Sequence, residues 1–135
     1  MHKFMATTYI NAVGRRKTAI ASVRMIAAPK SSLMVNGKTP KEYFKTDLRA
    51  LIAEEALATA KSAENYAVTA HVSGGGIAAQ ADAVRHAISR AVIKAEPSTR
   101  AVLKAATFLK RDPRAKERKK PGKVKARKAK QWSKR

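Results

Sequence analysis

YAVTAHVSGGGIAAQADAVRHAISRAVIKA, residues 66–95, is the stretch on which the reading of the fold turns. Tyr66, Val68, Ala70 and Val72 alternate with Thr69 and His71, the period-two pattern of a half-buried strand. The chain runs directly into Gly74-Gly75-Gly76, and from Ile77 to Ala95 the period changes. Ile77, Ala81, Val84, Ile88, Ala91, Val92 and Ala95 then form one stripe at helical spacing, which would pack on a sheet. Asp82, Arg85, His86, Ser89 and Arg90 occupy the opposite side, expected to face outward, and Ile93 stands there as an apolar exception. A strand, a glycine turn and a long amphipathic helix in succession predict an α/β domain.

Upstream, Tyr9, Ile10, Ala12 and Val13 followed by Ala19 to Ala28 read as two adjacent strands. Gly14-Arg15-Arg16-Lys17-Thr18 lies between them as a cationic corner, where Gly14 would let the backbone turn. Leu33 to Val35 is a short strand closed by the hairpin signal Asn36-Gly37. Thr39-Pro40 supplies an N-cap and a first-turn proline for a helical turn through Phe44. A second helix is expected over Asp47 to Lys61, with Leu48, Leu51, Ile52 and Leu57 as its apolar stripe. Pro97-Ser98-Thr99 breaks the long helix, and Arg100 to Leu109 reads as a short final one.

Charge divides the chain. The 135 residues carry 30 Lys and Arg against 9 Asp and Glu, a formal net charge of +21 that repels itself unless a polyanion neutralises it. Residues 110–135 alone hold 14 basic and 2 acidic side chains. Their apolar content, Val124, Trp132 and scattered alanines, is too small to offset the entropy of ordering a backbone. Asp112-Pro113 and Pro121-Gly122 further discourage a helix. The expected organisation is a short extension over residues 1–8, one globular domain over 9–109, and an extended basic tail over 110–135.

Nucleic acid is the partner this balance favours. There is no cysteine, hence no disulfide, thiolate metal site or cysteine nucleophile, and a reducing compartment is compatible. No apolar run approaches the ~20 residues of a membrane-spanning helix, and the basic residues do not lie on a helix with bulky apolar anchors. His86 has no neighbouring His, Cys or carboxylate pair to complete a catalytic set, and reads as a surface or RNA-facing histidine. The adjacent Glu54 and Glu55 diverge on their helix. No cofactor, metal or small-molecule substrate is therefore expected. An RNA-processing enzyme would want a carboxylate cluster or a His pair, and a nucleoid-type DNA binder a groove-reading helix and arm.

Within the basic set, Arg15, Arg16 and Lys17 are candidates for phosphate contact, since guanidinium groups engage phosphate bidentately. Gly74, Gly75 and Gly76 fit either a tight turn or the close approach of an RNA backbone, and neither the P-loop nor the dinucleotide fingerprint is complete. Arg85, His86 and Arg90 share the outward helix side. In the tail, Arg111, Arg114, Arg118, Lys119, Lys120, Lys123, Lys125, Arg127, Lys128 and Lys130 spread charge along a path that could follow a groove, and Trp132 offers a ring able to stack on a base.

Three motifs together carry a family resemblance: Gly14-Arg15-Arg16-Lys17-Thr18-Ala19; Gly74 to Gln80 with Arg85-His86 and Arg90-Ala91; and Arg111-Asp112-Pro113 through Glu117-Arg118-Lys119-Lys120-Pro121-Gly122 to Ser133-Lys134-Arg135. From Tyr9 to Arg135 the chain resembles the family of the ninth protein of the small ribosomal subunit, in its bacterial and organellar branch. The resemblance implies a single compact α/β domain with a mixed sheet backed by helices, bound to ribosomal RNA in the subunit head of the cytoplasmic ribosome among neighbouring head proteins. It further implies a tail whose end, Ser133, Lys134 and Arg135, approaches the anticodon stem-loop of peptidyl-site transfer RNA. Ala79, Asp82 and Ala87 stand where the family usually has glycine, and Trp132 where it has phenylalanine. Asp82 would repel RNA locally while complementing the positive end of the helix dipole.

Overall fold

The structure, a computed structural model, describes residues 8–135. Its elements are β1 (Ile10–Arg16), β2 (Ala19–Ala27), β3 (Ser32–Val35), α1 (Pro40–Phe44), α2 (Asp47–Ala60), β4 (Tyr66–Ser73), α3 (Ile77–Ala95) and α4 (Arg100–Ala105), with a 3-10 turn at Pro97–Thr99 before α4. The strands form one mixed sheet in the order β1-β2-β4-β3. β1 with β2 and β2 with β4 are antiparallel, whereas β3 lies parallel to β4. The parallel pair requires a crossover, supplied by α1 and α2.

Alternation in the strands sends Ala21, Val23, Met25, Val35, Val68, Ala70 and Val72 into the core. The inward and outward positions of β4 are those read from the sequence. α1 begins at the N-cap and first-turn proline read from the sequence, and the structure adds a capping box, Thr39 and Glu42 satisfying each other's backbone amides. Asn36 and Gly37 take the left-handed backbone of a tight turn. Beyond that turn, the Asn36 side chain pairs with β4 as a backbone would: its Oδ1 accepts from Val72 N at 2.9 Å and its Nδ2 donates to Val72 O at 3.0 Å. That contact extends the short β3 edge by one residue.

The structure corrects several expectations. Gly14 does not turn the chain, because the corner is made by Lys17 (φ 52°) and Thr18, while Gly14 is buried in β1. Its missing side chain matters for another reason: a Cβ there would collide with the α3 backbone at Ala83 O and Ala87 N. α3 thus lies directly against β1. It is also flanked by α2, so Ala83, Ala87 and Ser89 are buried along with the expected Ala81, Val84, Ile88, Ala91 and Val92. Ser89, expected to be outward, is fully buried and satisfied because its hydroxyl donates to Arg85 O at 2.8 Å. Ile93 packs at the core margin, whereas Ile77 at the helix start remains 38% exposed.

α2 departs from its expected orientation at two of its four stripe positions, while Ile52 and Leu57 pack against the core margin as read. Ala50, Ala53, Ala56 and Ala60 are buried, and Leu48 and Leu51 point outward. Small side chains let α2 approach α3 closely, so the alanines line the seam. α4 is shorter than the sequence suggests and ends at Ala105. Thr107, in the left-handed region at φ 65°, then redirects the chain so that Phe108 and Leu109 pack back on the core.

Gly14→Ala should lower stability by at least the ~1–3 kcal/mol typical of overpacking, since the obstructing atoms are backbone and cannot rotate away. Urea unfolding with an unchanged m-value and a lower midpoint is the expected result.

Candidate nucleic-acid interface

Three stretches distant in sequence meet beside the N-terminal half of α3. The end of β1 brings Arg15 and Arg16, α3 brings Asp82, Arg85 and His86, and the chain after α4 brings Thr107, Phe108, Lys110, Arg111, Asp112 and Arg114. Together they line a concavity of about 270 Å³. Lys110, which the sequence reading left out of the site, belongs to it, and only its place in the basic run signalled this.

So many cations converge because the innermost are neutralised. Arg16 lies 3.7 Å from the Asp82 carboxylate and 3.3 Å from that of Asp112. Its guanidinium also donates to Arg114 O at 3.0 Å, fastening the chain beyond α4 to β1. Arg85 pairs with Glu55 at 3.0 Å and Asp82 at 3.5 Å, and its guanidinium lies 4.9 Å from the centre of the Phe108 ring. Asp112 is held by Arg114 through a bidentate pair, Nε donating to Oδ1 at 3.1 Å and Nη2 to Oδ2 at 2.8 Å. The Arg114 hydrogen bonds, from side chain and backbone, keep the Asp112 carboxyl well below the usual carboxylate range. Asp82 is therefore the shared counter-ion of Arg16 and Arg85, and its charge is already answered within the protein.

The outer cations are different. Among the described residues Arg15, Lys17, Lys110 and Arg111 are exposed and have no ion-pair partner. His86 is half-buried instead of lying on the surface, and its Nδ1 is buried without a hydrogen-bond partner. Burial, then the neighbouring Arg90 and Arg111 charges, lower its pKa, although the Leu109 backbone opposes the shift.

Other expected residues lie apart from this concavity. Arg90 donates to Val13 O at 2.5 Å and Lys94 to Asn11 O at 2.6 Å, so both satisfy carbonyls along the edge strand β1. The glycines join β4 to α3 beside the Lys17-Thr18 corner. Gly74 and Gly75 have positive φ, and a Cβ on Gly75 would meet Ala19 N at 2.9 Å, so geometry alone accounts for both. Gln80 closes this loop by donating to Gly74 O at 2.9 Å and accepting from the Tyr43 hydroxyl at 2.9 Å.

Residues 110–135 contain no helix or strand. A turn at Pro121-Gly122 and one isolated bridge, Lys123 to Ala129, fold part of the segment, with Glu117 held between Lys120 at 2.5 Å and Arg127 at 2.9 Å. Arg118, Lys119, Lys123, Lys125, Lys128, Lys130, Ser133, Lys134 and Arg135 are exposed, and Trp132 is 79% exposed.

The family described as Ribosomal protein S9/S16 matches residues 14–135, a span running from the β1 glycine through the whole basic segment. This chain belongs to that family. It is also 44% identical over 126 residues, 93% of this chain and 98% of the other, to the Small ribosomal subunit protein uS9 of Parabacteroides distasonis. As a ribosomal protein it is a structural component of the ribosome and not an enzyme. Among the described residues no helix is long and apolar enough to cross a membrane, and no group of three or more His, Asp or Glu is placed to hold a metal.

The lowered His86 pKa has a definite sign. Between the folded and unfolded values the unfolded chain takes up the proton first, so the contribution of His86 to stability is present above the ordinary histidine pKa of about 6.5 and declines as pH falls below it. His86→Gln should flatten the stability profile between about pH 7 and pH 5 relative to the parent chain, as read by chemical denaturation at each pH.

Proposed function

We propose that this protein binds ribosomal RNA in the head of the small subunit of the cytoplasmic ribosome, with residues 110–135 as an extended basic tail reaching the peptidyl-site transfer RNA. The observation that carries the reading is the division of labour among the cations. Arg16, Arg85 and Arg114 are tied to carboxylates, whereas Arg15, Lys110 and Arg111 remain available at the rim and Lys17 at the β1–β2 corner next to Arg16. A phosphate backbone laid along the rim meets charges already positioned by the fold, and association releases its condensed counterions.

Arg15 and Lys17 act from the β1–β2 corner and Arg111 from the root of the tail. Arg85 and His86 form the wall behind them, and Gly74, Gly75 and Gly76 present a smooth backbone surface beside the same corner. Along the tail, Arg118, Lys119, Lys123, Lys125, Lys128 and Lys130 engage successive phosphates, Lys120 and Arg127 do so by exchanging Glu117 for them, and Trp132 stacks on an unpaired base. Ser133, Lys134 and Arg135 contact the anticodon stem-loop electrostatically. The remaining partners are neighbouring proteins of the subunit head.

Replacing Arg15, Lys17 and Arg111 together by glutamine should flatten the slope of log affinity against log salt for small-subunit ribosomal RNA by about two to three, on the usual ~0.7–0.9 per phosphate contact. Filter binding across a salt series measures this; an unchanged slope would place the RNA elsewhere. Deleting Ser133 to Arg135 should weaken transfer-RNA retention by purified small subunits and leave the unfolding midpoint unchanged, because all three residues lie outside the core. Unaltered retention would remove the role of the tail end.

A further inference from the structure

The outer face of α2 is unlike the rest of the surface. Leu48 is 65% and Leu51 63% exposed, one turn apart on the same side of the helix, and Ile52 is half-buried beside them. With Glu54, Glu55 and Ala58 they line a shallow groove of about 340 Å³. A second depression of about 360 Å³, lined by Ser31, Ser32, Leu33, Glu54, Leu57 and Ala58, adjoins it through the shared Glu54 and Ala58. Single exposed leucines are ordinary, but two adjacent ones in a groove with Ile52, edged by Glu54 and Glu55, signal a contact surface.

We propose that this face docks a basic segment of another protein, with its apolar side chains against Leu48 and Leu51 and a Lys or Arg on Glu54. The inference rests on the small-subunit reading above, and charge complementarity selects the partner. In a chain of net charge +21, this patch has two acids in its lining and no Lys or Arg. Glu55 is already paired with Arg85, but Glu54 is exposed and has no ion-pair partner among the described residues. A phosphate backbone laid here would meet a carboxylate and apolar side chains, both unfavourable to it, whereas a cationic peptide gains an ion pair and buries two leucines. The buried alanines of α2 explain why Leu48 and Leu51 are available: the inner side of the helix packs without those two.

The absence of cysteine permits a direct test with Leu51→Cys, which introduces the only thiol in the chain at an exposed position. Maleimide labelling of this chain is compared in three states: free, bound to protein-free small-subunit ribosomal RNA, and within purified small subunits. Incorporation into subunits tests the functional reading independently. The proposal expects labelling in the first two states and at least a tenfold slower rate in the third. Equally slow labelling on RNA alone would make RNA the occupant, and fast labelling in the subunit would leave the face uncovered, either of which overturns the proposal. Carbodiimide should also join this chain in subunits to a lysine of a different protein, with the product reduced several-fold by Glu54→Gln. A product of twice the chain mass would point to a second copy and against the proposal.

Discussion

Arg16 sits between the carboxylates of Asp82 and Asp112, and this shared ion pair is what the cationic surface depends on. It joins β1, α3 and the segment after α4 at one point and offsets enough positive charge for them to remain together. With Arg16 removed, two carboxylates would remain beside Arg85 and Arg114, and the chain beyond α4 would lose the donor to its backbone at Arg114 O. The partly buried position of Arg16 shields the contact from solvent, so it is screened less by salt than the exposed pairs of the tail. The exposed cations at the rim are thus held in place by other arginines that are neutralised.

Much of the architecture was legible because it follows from periodicity. The two-residue repeat of β4, the helical repeat of α3 and the Thr39-Pro40 start of α1 each have a local cause, and each lies where the sequence puts it. Features set by a neighbour were not legible. Nothing local says that Gly14 serves close approach to α3 instead of a turn, because the obstructing atoms lie some 70 residues away at Ala83 and Ala87. α2 misleads in part for the same reason: hydrophobicity alone sends Leu48 and Leu51 inward, whereas the distance to α3 favours alanine at the seam.

The site was legible in composition but not in internal organisation. Arg15, Arg16, Arg85, His86, Arg111 and Arg114 do converge, although three segments contribute them. Arg90 reads as another outward cation, yet it spends its guanidinium on an edge-strand carbonyl. Asp82 reads as an intrusion on a basic surface, and its role emerges only when Arg16 and Arg85 are found on either side of it.

The central claim is that a neutralised arginine core presents a fixed cationic rim to folded RNA, making the protein an integral part of the small subunit. Sucrose-gradient sedimentation of a cell lysate, with each fraction blotted for this protein at low and at moderate salt, tests it most directly. The account predicts co-migration with small subunits at both salt concentrations, because a shaped multi-site contact outlasts conditions that strip nonspecific phosphate binding. Release at moderate salt into light fractions, or migration with free nucleic acid, would contradict it.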